Sequence, residues 1–224
     1  MKSIYGNWTE EEVTKYIDDW FDIFSDDITE SVLAEREEHI DGTLAQIDGF
    51  ADGVIKFIPK HMIDDINKGL SILDWGCSLG AGTHLLQQKF PNSKVTGLDI
   101  SEVSLKIGRK LFPECEFVSE KLNNPYDVIY CSNCLEHFVD PLAMVKEHLK
   151  FTNKYYIMLV PFGGKIVNKI ADHLSCITLN TFPQKIDGFN CIYQIYMRFP
   201  VEAKIWNGFQ MLFIYQKIET EGKQ

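Results

Sequence analysis

A glycine-rich segment at residues 73–83, LDWGCSLGAGT, is the part of the sequence best suited to bind a small ligand. It follows a short apolar run and precedes a helical pattern, and its glycines allow a tight turn that brings the backbone close to a ligand. Asp74 stands just before the turn, and Asp99 ends the next apolar run. In doubly wound folds such ligands bind beyond the carboxyl ends of the strands, where an acid can accept hydrogen bonds from both ribose hydroxyls. The pattern therefore predicts a nucleoside-binding turn.

The spacing of the glycines does not match the dinucleotide fingerprint G-x-G-x-x-G. If Gly80 and Gly82 were the first two glycines of the fingerprint, the third would be required at position 85, which is Leu85. If Gly76 were the first, the second would be required at position 78, which is Ser78. An acid before the turn also suits a ligand with an ammonium and a sulfonium better than a pyrophosphate. A nicotinamide-dependent oxidoreductase is therefore disfavoured.

Further candidates for chemistry follow two later apolar runs. Glu136 and His137 come shortly after residues 127–131, and His173 comes after residues 155–160. Imidazole titrates near neutral pH and can take a proton from a hydroxyl or an ammonium. The alternative is a structural role, with His137 starting a helix and His173 ordering a loop.

The six cysteines lie in apolar surroundings. Cys131 and Cys134 form a C-x-x-C pair, but a tetrahedral zinc site needs two more ligands, and no second C-x-x-C or histidine pair supplies them. We therefore predict packed, reduced thiols.

From residue 70 onward, short apolar runs alternate with helical patterns, which predicts a parallel, doubly wound α/β sheet. The predicted strands are 70–73, 94–98, 116–118, 127–131 and 155–160, and the predicted helices are 83–90, 102–111 and 141–150. The runs 191–197 and 208–217 have no helical pattern between them, so they predict a terminal antiparallel hairpin.

The N-terminal region is helical in pattern and strongly acidic. Residues 1–69 hold 17 acidic and 6 basic side chains, whereas the rest of the chain is nearly neutral. Thr9 and Glu12 form a capping box, a second helix is predicted at about 29–47, and a third begins near Pro59. We divide the chain into a helical cap, residues 1–58, and a ligand-binding domain, residues 59–224.

The overall composition excludes several classes of protein. A net charge of −10 and only three arginines argue against a nucleic-acid partner. The longest uncharged apolar run, residues 155–162, is far shorter than the ~20 residues that cross a bilayer, so no membrane partner is expected. Residues 1–8 lack the apolar core of a secretory signal, and we expect a cytoplasmic protein.

The glycine-rich segment resembles the first motif of the class I S-adenosylmethionine (SAM)-dependent methyltransferases. That motif is D/E-x-G-x-G-x-G, and it is matched here by Asp74, Gly76, Ser78 and Gly80, with serine at the position of the middle glycine.

The resemblance continues in two later segments. Residues 95–101, VTGLDIS, are similar to the family's second motif with its ribose acid, Asp99. Residues 126–141, YDVIYCSNCLEHFVDP, are similar to the fourth strand and the LEH…DP stretch of the small-molecule branch. The combination covers about residues 60–217 and is more specific than any one motif.

The resemblance implies SAM as the cofactor and a mostly parallel, seven-stranded Rossmann-like sheet whose seventh strand is inserted antiparallel. It also implies that adenine lies against apolar side chains at Ile100 and Val118. The residues implied to bind the cofactor are Asp74, Gly76, Cys77, Ser78, Gly80, Thr83, Asp99, Ile100, Ser101, Ser119, Glu120, Asn133 and Leu135.

By the same resemblance, Glu136, His137 and His173 are the catalytic candidates at the mouth of the site. Some relatives bind a divalent ion through acids around the LEH stretch, but Asn133 stands where another acid would be wanted, so no metal is predicted. Residues 123–126, NNPY, are similar to a motif of base-modifying methyltransferases. They precede their strand, however, and so lie at the opposite edge of the sheet.

We therefore expect methyl transfer from SAM to oxygen or nitrogen of a small molecule such as a metabolite, a sugar or a glycan precursor, with residues 1–58 closing over the acceptor. One alternative is a non-catalytic SAM-binding or regulatory protein, which would form no S-adenosylhomocysteine (SAH). A nucleic-acid or protein methyltransferase is disfavoured by the charge and by the position of NNPY. The sequence predicts no particular oligomeric state.

Overall fold

The structure is a computed structural model, and it describes residues 9–119, 123–163, 173–198 and 208–219. Its helices are α1 (Glu10–Phe21), α2 (Glu30–Ile55), α3 (Lys60–Ile66), α4 (Ala81–Lys89), α5 (Glu102–Leu111) and α6 (Pro141–Lys150). Its strands are β1 (Ile72–Trp75), β2 (Val95–Leu98), β3 (Glu116–Val118), β4 (Tyr126–Ser132), β5 (Thr152–Pro161), β6 (Lys185–Ile186), β7 (Phe189–Arg198) and β8 (Phe209–Lys217). A short 3₁₀ helix, Leu135–His137, follows β4.

The strands form one sheet in the order β3-β2-β1-β4-β5-β8-β7-β6. The first five strands in this order, β3, β2, β1, β4 and β5, are parallel to one another. The remaining strands β8, β7 and β6 are each antiparallel to their neighbours. This confirms the predicted doubly wound sheet with a terminal antiparallel hairpin. The chain runs from β1 outward to β3 and then returns to the other side of β1, so the crevice between β1 and β4 is the switch point where such folds bind ligands.

The sheet has one strand more than the predicted seven. The additional strand, β6, is two residues long and pairs with β7 across a turn at Asp187 and Gly188, which have φ of 41° and 84°. A strand of two residues is too short for a detectable alternation of apolar and polar side chains, which explains why the sequence pattern did not predict it.

The predicted capping box is present at the start of α1. The backbone N–H of Glu12 donates to Thr9 Oγ1 at 3.1 Å, and the backbone N–H of Thr9 donates to Glu12 Oε2 at 2.6 Å. The helix therefore begins where the sequence predicts it.

The second helix is longer than predicted and joins the main core. It continues to residue 55, beyond the expected end at 47, because Phe50 and Val54 in its last turns are buried against the sheet. The division into a cap of residues 1–58 and a domain of residues 59–224 stays a prediction.

The carboxyl ends of β1, β2 and β4 meet at one edge of the sheet. Because β4 starts at Tyr126, residues 123–126 lie at the opposite edge, as expected. Cys131 is a fully buried free thiol, which agrees with the packing role predicted for it. None of the helices in the described ranges is long and apolar enough to cross a membrane.

Candidate functional site

The turn between β1 and α4 has a backbone conformation that favours glycine. Gly76, Ser78 and Gly80 all have positive φ, at 72°, 48° and 82°. A Cβ atom at Gly76 would lie 2.7 Å from Cys134 Sγ, and one at Gly80 would lie 2.5 Å from the ring of Phe117. Both positions therefore require glycine on grounds of conformation and of space. Ser78 adopts the left-handed conformation with a small side chain.

Asp99 directly follows β2 and bridges the two sides of the crevice. Its Oδ2 accepts a hydrogen bond from the backbone N–H of Ser78 at 2.8 Å, and its Oδ1 accepts one from the backbone N–H of Ser101 at 2.9 Å. Burial raises the pKa of Asp99, and the hydrogen bonds from these amides oppose that shift. Each carboxylate oxygen has lone-pair capacity left, so Asp99 can still accept hydrogen bonds from a ligand hydroxyl.

Asp74, the acid before the turn, is buried and holds the first turn of α4. Its Oδ2 accepts a hydrogen bond from Thr83 Oγ1 at 2.7 Å, so the structure brings together two residues that the sequence analysis assigned to the cofactor. Burial raises the pKa of Asp74 to about 7, the bond from Thr83 opposes the shift, and the charge of Asp99 adds to it. Cys77 is also buried, and burial raises the pKa of its thiol.

The residues predicted at the nucleoside end lie after β2 and β3. Ser101 is fully buried and caps α5, because its Oγ accepts a hydrogen bond from the backbone N–H of Ser104 at 3.0 Å. Ile100 is half-buried, and Ser119 is exposed. Glu120 lies outside the described residues.

The end of β4 lies beside the glycine turn. Asn133 follows β4 with φ of 47°, and its backbone N–H donates to the carbonyl of Leu159 at 2.8 Å. Its Oδ1 accepts a hydrogen bond from Gln210 Nε2 at 2.9 Å. Gln210 is fully buried, and its Oε1 has no hydrogen-bond partner within the described part of the chain. Leu135 is packed in the core.

The three predicted catalytic residues Glu136, His137 and His173, which we call the edge cluster, lie together. One carboxylate oxygen of Glu136 and one ring nitrogen of each histidine all lie within 4.8 Å of one another. The two imidazole rings meet edge to face, with their centroids 5.2 Å apart. The carbonyl of Glu136 accepts hydrogen bonds from the backbone N–H groups of Leu174 and Ser175, at 2.9 and 3.1 Å. Leu174 and Ser175 are thereby fixed against the 3₁₀ helix.

The edge cluster combines groups that can share a proton. The Glu136 side chain is buried, and both imidazoles are half-buried. An imidazole beside a carboxylate can accept a proton and be stabilised in its charged form. The arrangement is therefore suited to general-base chemistry at the mouth of the crevice.

The same donor atoms could also hold a divalent cation. Two imidazoles and one carboxylate are a recognised ligand set for transition metals. The expectation of no metal rested on Asn133, whereas His173 supplies a third donor to the cluster from the segment after β5. Within the described ranges, a second such group of donors consists of His84, Glu114 and Cys115, near the start of β3. Absence of a metal stays a prediction.

Three contacts around the site join residues that are far apart in the sequence. Ser101 Oγ donates a hydrogen bond to Asp18 Oδ1 of α1 at 2.5 Å. Gln210 of β8 contacts the end of β4, as described above, and Phe117 of β3 lies against the glycine turn. Each of these side chains is ordinary within its own helix or strand, so no local sequence signal could have identified it.

Over part of its length the chain is similar to known methyltransferases. A family model described as a methyltransferase domain matches residues 73–154, from β1 to the start of β5. A trans-aconitate 2-methyltransferase from Enterobacter sp. (strain 638) is 32% identical over 124 residues, which cover 53% of this chain and 45% of that protein. A ubiquinone biosynthesis O-methyltransferase from Idiomarina loihiensis is 31% identical over 147 residues, which cover 61% and 56%. The chain thus spans about half the length of the curated relatives it matches.

The fold is also similar to that of solved methyltransferase structures. Magnesium protoporphyrin IX methyltransferase from Synechocystis PCC 6803 with bound SAH has a TM-score of 0.63 and 17% identity, and the match covers 93% of this chain and 100% of that one. At this identity the likeness shows the fold alone. The family match contains the glycine turn, Asp99 and the LEH stretch. The family match over this segment and the fold thus both support a class I SAM-dependent methyltransferase.

Proposed function

We propose that the protein transfers a methyl group from SAM to an oxygen or nitrogen atom of a small molecule, such as a metabolite, a sugar or a glycan precursor. The observation that carries the proposal is that the edge cluster lies at the same sheet edge as the glycine turn. β4 is the direct neighbour of β1, and Cys134, which precedes the 3₁₀ helix, lies against Gly76. A cofactor bound at the turn would therefore be adjacent to the cluster.

The residues at the turn fit SAM. When bound, SAM supplies a methyl group on a sulfonium. Asp99 has the remaining acceptor capacity to bind the ribose hydroxyls, and the buried carboxyl of Asp74 favours a cationic ligand once it is ionised. Cys134 and Phe117 fill the space beside Gly76 and Gly80, so only glycine at these two positions permits the turn on which the cofactor would bind.

The edge cluster would remove the proton that the acceptor loses. A hydroxyl or ammonium group gives up a proton when its oxygen or nitrogen takes the methyl group. His137 or His173 accepts this proton at a ring nitrogen, and the buried carboxylate of Glu136 stabilises the imidazolium that results. The protein's contribution is then to position the acceptor and to take up its proton.

The charge of the chain supports a small molecule as the acceptor. Binding of a nucleic acid relies on many contacts between phosphates and basic side chains, whereas this chain has a net charge of −10. Two relatives are named for trans-aconitate and for ubiquinone biosynthesis, which supports a small metabolite here. The match covers only part of those proteins, so the specific acceptor does not carry over.

The test combines cofactor binding with a search for the acceptor. Isothermal titration measures binding of SAM to the purified protein, and a metabolite extract is then incubated with methyl-labelled SAM and the protein. We expect labelled small molecules and SAH to form with the wild type and with His61→Ala, an exposed histidine on α3, but far more slowly with His137→Ala or His173→Ala. Binding of SAM with no SAH from any extract would instead indicate a non-catalytic SAM-binding protein.

A further inference from the structure

The N-terminal helices are packed onto the glycine turn itself. Leu79, which lies between the left-handed residues 78 and 80, is fully buried in a cluster with Phe21 of α1, Ile40 of α2 and Ile107 of α5. The acidic N-terminal segment therefore contributes apolar side chains directly beneath the predicted cofactor site.

A chain of hydrogen bonds connects α1 to the ribose acid. Asp18 Oδ1 accepts a hydrogen bond from Ser101 Oγ at 2.5 Å. The backbone N–H of the same serine donates to Asp99 Oδ1 at 2.9 Å, and Asp99 Oδ2 in turn accepts from the backbone N–H of Ser78 at 2.8 Å. Asp18 and Asp99 thus both form hydrogen bonds to Ser101, and Asp99 also holds the glycine turn through Ser78.

We propose that Asp18 is a positioning residue of the cofactor site, which fixes Ser101 beside Asp99 so that cofactor binding and docking of α1 strengthen each other. This inference rests on the proposed function, because it concerns the same cofactor. It goes further in assigning part of the cofactor site to the N-terminal segment, which lies outside the resemblance.

The coupling has an electrostatic cause. Burial, and in addition the charge of Asp18, raises the pKa of Asp99, so the two carboxylates repel each other when both are ionised. Ribose hydroxyls would donate hydrogen bonds to the Asp99 carboxylate and disperse its negative charge. A bound nucleoside would therefore reduce the electrostatic repulsion between Asp99 and Asp18. The coupling free energy between the two events is reciprocal. If a bound nucleoside favours docking of α1 by some factor, a docked α1 raises the affinity for the nucleoside by the same factor.

An open groove of about 620 Å³ runs along the same face of α1. It is lined by Val103 of α5 and by α1 residues that include Asp18 and Asp19. Asp19 is exposed and forms an ion pair with Lys15 on its own helix, at 3.5 Å. It carries the same charge in the same groove without contacting Ser101, which makes Asp19→Ala the matched control.

Isothermal titration of SAM and SAH into six proteins tests the proposal: the wild type, Asp18→Ala, Asp18→Asn, Asp19→Ala, Ser101→Ala and the double variant Asp18→Ala/Ser101→Ala. Ser101→Ala is the reference for the double variant. We expect Asp18→Ala to weaken both ligands by about tenfold, as for loss of one hydrogen bond to a charged group. Asp18→Asn keeps an oxygen acceptor for Ser101 but loses the charge, so it should weaken both ligands less than Asp18→Ala does, and Asp19→Ala should be unchanged. In the Ser101→Ala background, loss of Asp18 should have no further effect.

Hydrogen exchange supplies a readout that a merely structural role would not change. SAM should slow amide exchange in residues 10–21 of the wild type and of Asp19→Ala, but not in Asp18→Ala. Equal affinities and equal protection in the wild type and Asp18→Ala would overturn the proposal, and so would additive effects of the Asp18 and Ser101 variants. If the wild type binds neither SAM nor SAH, the proposed function itself fails, and that outcome is visible before any variant is compared.

Discussion

Asp99 accepts a hydrogen bond from the backbone N–H of Ser78 at 2.8 Å, so the acid that ends one strand holds the turn that follows the neighbouring strand. The carboxylate is already engaged before any ligand arrives. Under the proposed function Asp99 would then have two tasks, to fix the conformation of the glycine turn and to bind the ribose.

Removal of this carboxylate should weaken SAM and SAH alike. Hydrogen bonds to a charged group contribute ~1.5–3 kcal/mol each, and each ~1.4 kcal/mol is a factor of ten, so Asp99→Ala should raise both dissociation constants by ~10- to 200-fold. Because the two backbone amides also lose their acceptor, unfolding should become easier by roughly 1–3 kcal/mol. Isothermal titration and thermal unfolding measure the two effects. Unchanged dissociation constants in a folded Asp99→Ala would mean that the ribose site has been misassigned.

The pH dependence of SAM binding should follow Asp74. Burial raises the pKa of this carboxyl to about 7, so near neutral pH part of the ligand-free protein carries a proton there. A cationic ligand favours the ionised form, so SAM binding should release a proton below about pH 7 and should tighten as the pH rises from 6 to 8. Titrations in buffers of different ionisation enthalpy count the protons. Asp74→Asn should abolish the release, and a wild type that releases no proton at pH 6 would contradict this assignment.

The stability of the ligand-free protein should show the opposite trend. A carboxyl whose pKa is higher in the folded state stabilises the fold while it is protonated, and this contribution disappears as the pH rises from about 4 through about 7. Thermal unfolding between pH 5 and 8, with Asp74→Asn as the reference, should therefore show the wild type losing stability relative to the variant.

If a histidine of the edge cluster acts as the general base, its removal should lower the turnover rate and leave the affinity for SAM nearly unchanged. Once an acceptor is known, His137→Ala or His173→Ala should lower kcat by ~10²–10⁴ with the dissociation constant for SAM nearly intact. Titration of the variants with SAM provides the control. Unchanged kcat in both variants would leave proximity and orientation as the mechanism, and the cluster would then have a structural role.

Treatment with a chelator distinguishes general-base catalysis by the edge cluster from catalysis that requires a metal ion bound there. If the cluster works as a base, a chelator such as EDTA should leave turnover unchanged after dialysis. Loss of turnover that Mn²⁺ or Zn²⁺ restores would show that Glu136, His137 and His173 hold a cation and would contradict the expectation of no metal.

The glycine turn can be tested by comparison with a turn far from the site. Gly80 and Gly188 have nearly equal φ, at 82° and 84°, but a Cβ would meet the Phe117 ring only at Gly80. We expect Gly188→Ala to cost about 1 kcal/mol through backbone strain, and Gly80→Ala to cost about 2–4 kcal/mol and to weaken SAM binding as well. Combining Gly80→Ala with Phe117→Leu should recover part of the loss, and equal unfolding free energies for the two single variants would contradict the packing argument.

The parts of the fold that local sequence patterns control were predicted well. The helix Glu102–Leu111 has the predicted bounds because Ser101 caps it and its apolar residues recur at helical spacing. The second helix was predicted to end at residue 47, where its apolar stripe ends, but Phe50 and Val54 bury enough apolar surface to continue it past the glycines at 49 and 53. Tertiary packing thus overrode the helix-breaking signal.

The candidate site shows the same limit. The sequence placed the turn, Asp99 and the edge cluster at one edge because parallel strands bring their carboxyl ends together. It gave no indication of Asp18 or Gln210, since each acts through a single hydrogen bond to a partner some 80 residues away, Ser101 and Asn133 respectively. Such pairs depend on how elements dock, which neither composition nor periodicity records.

The position of β8 determines when the sheet can be completed during synthesis. β8 follows both β5 and β7 in the sequence, yet it lies between them in the sheet and bonds to both of them. Until residue 217 has emerged, the long strands β5 and β7 each have an unpaired edge, and such edges are the places where nascent chains associate wrongly. The parallel half of the sheet can form earlier. β8 is thus the segment that covers both edges at once, and a nascent chain in which β8 has not yet emerged exposes both of them.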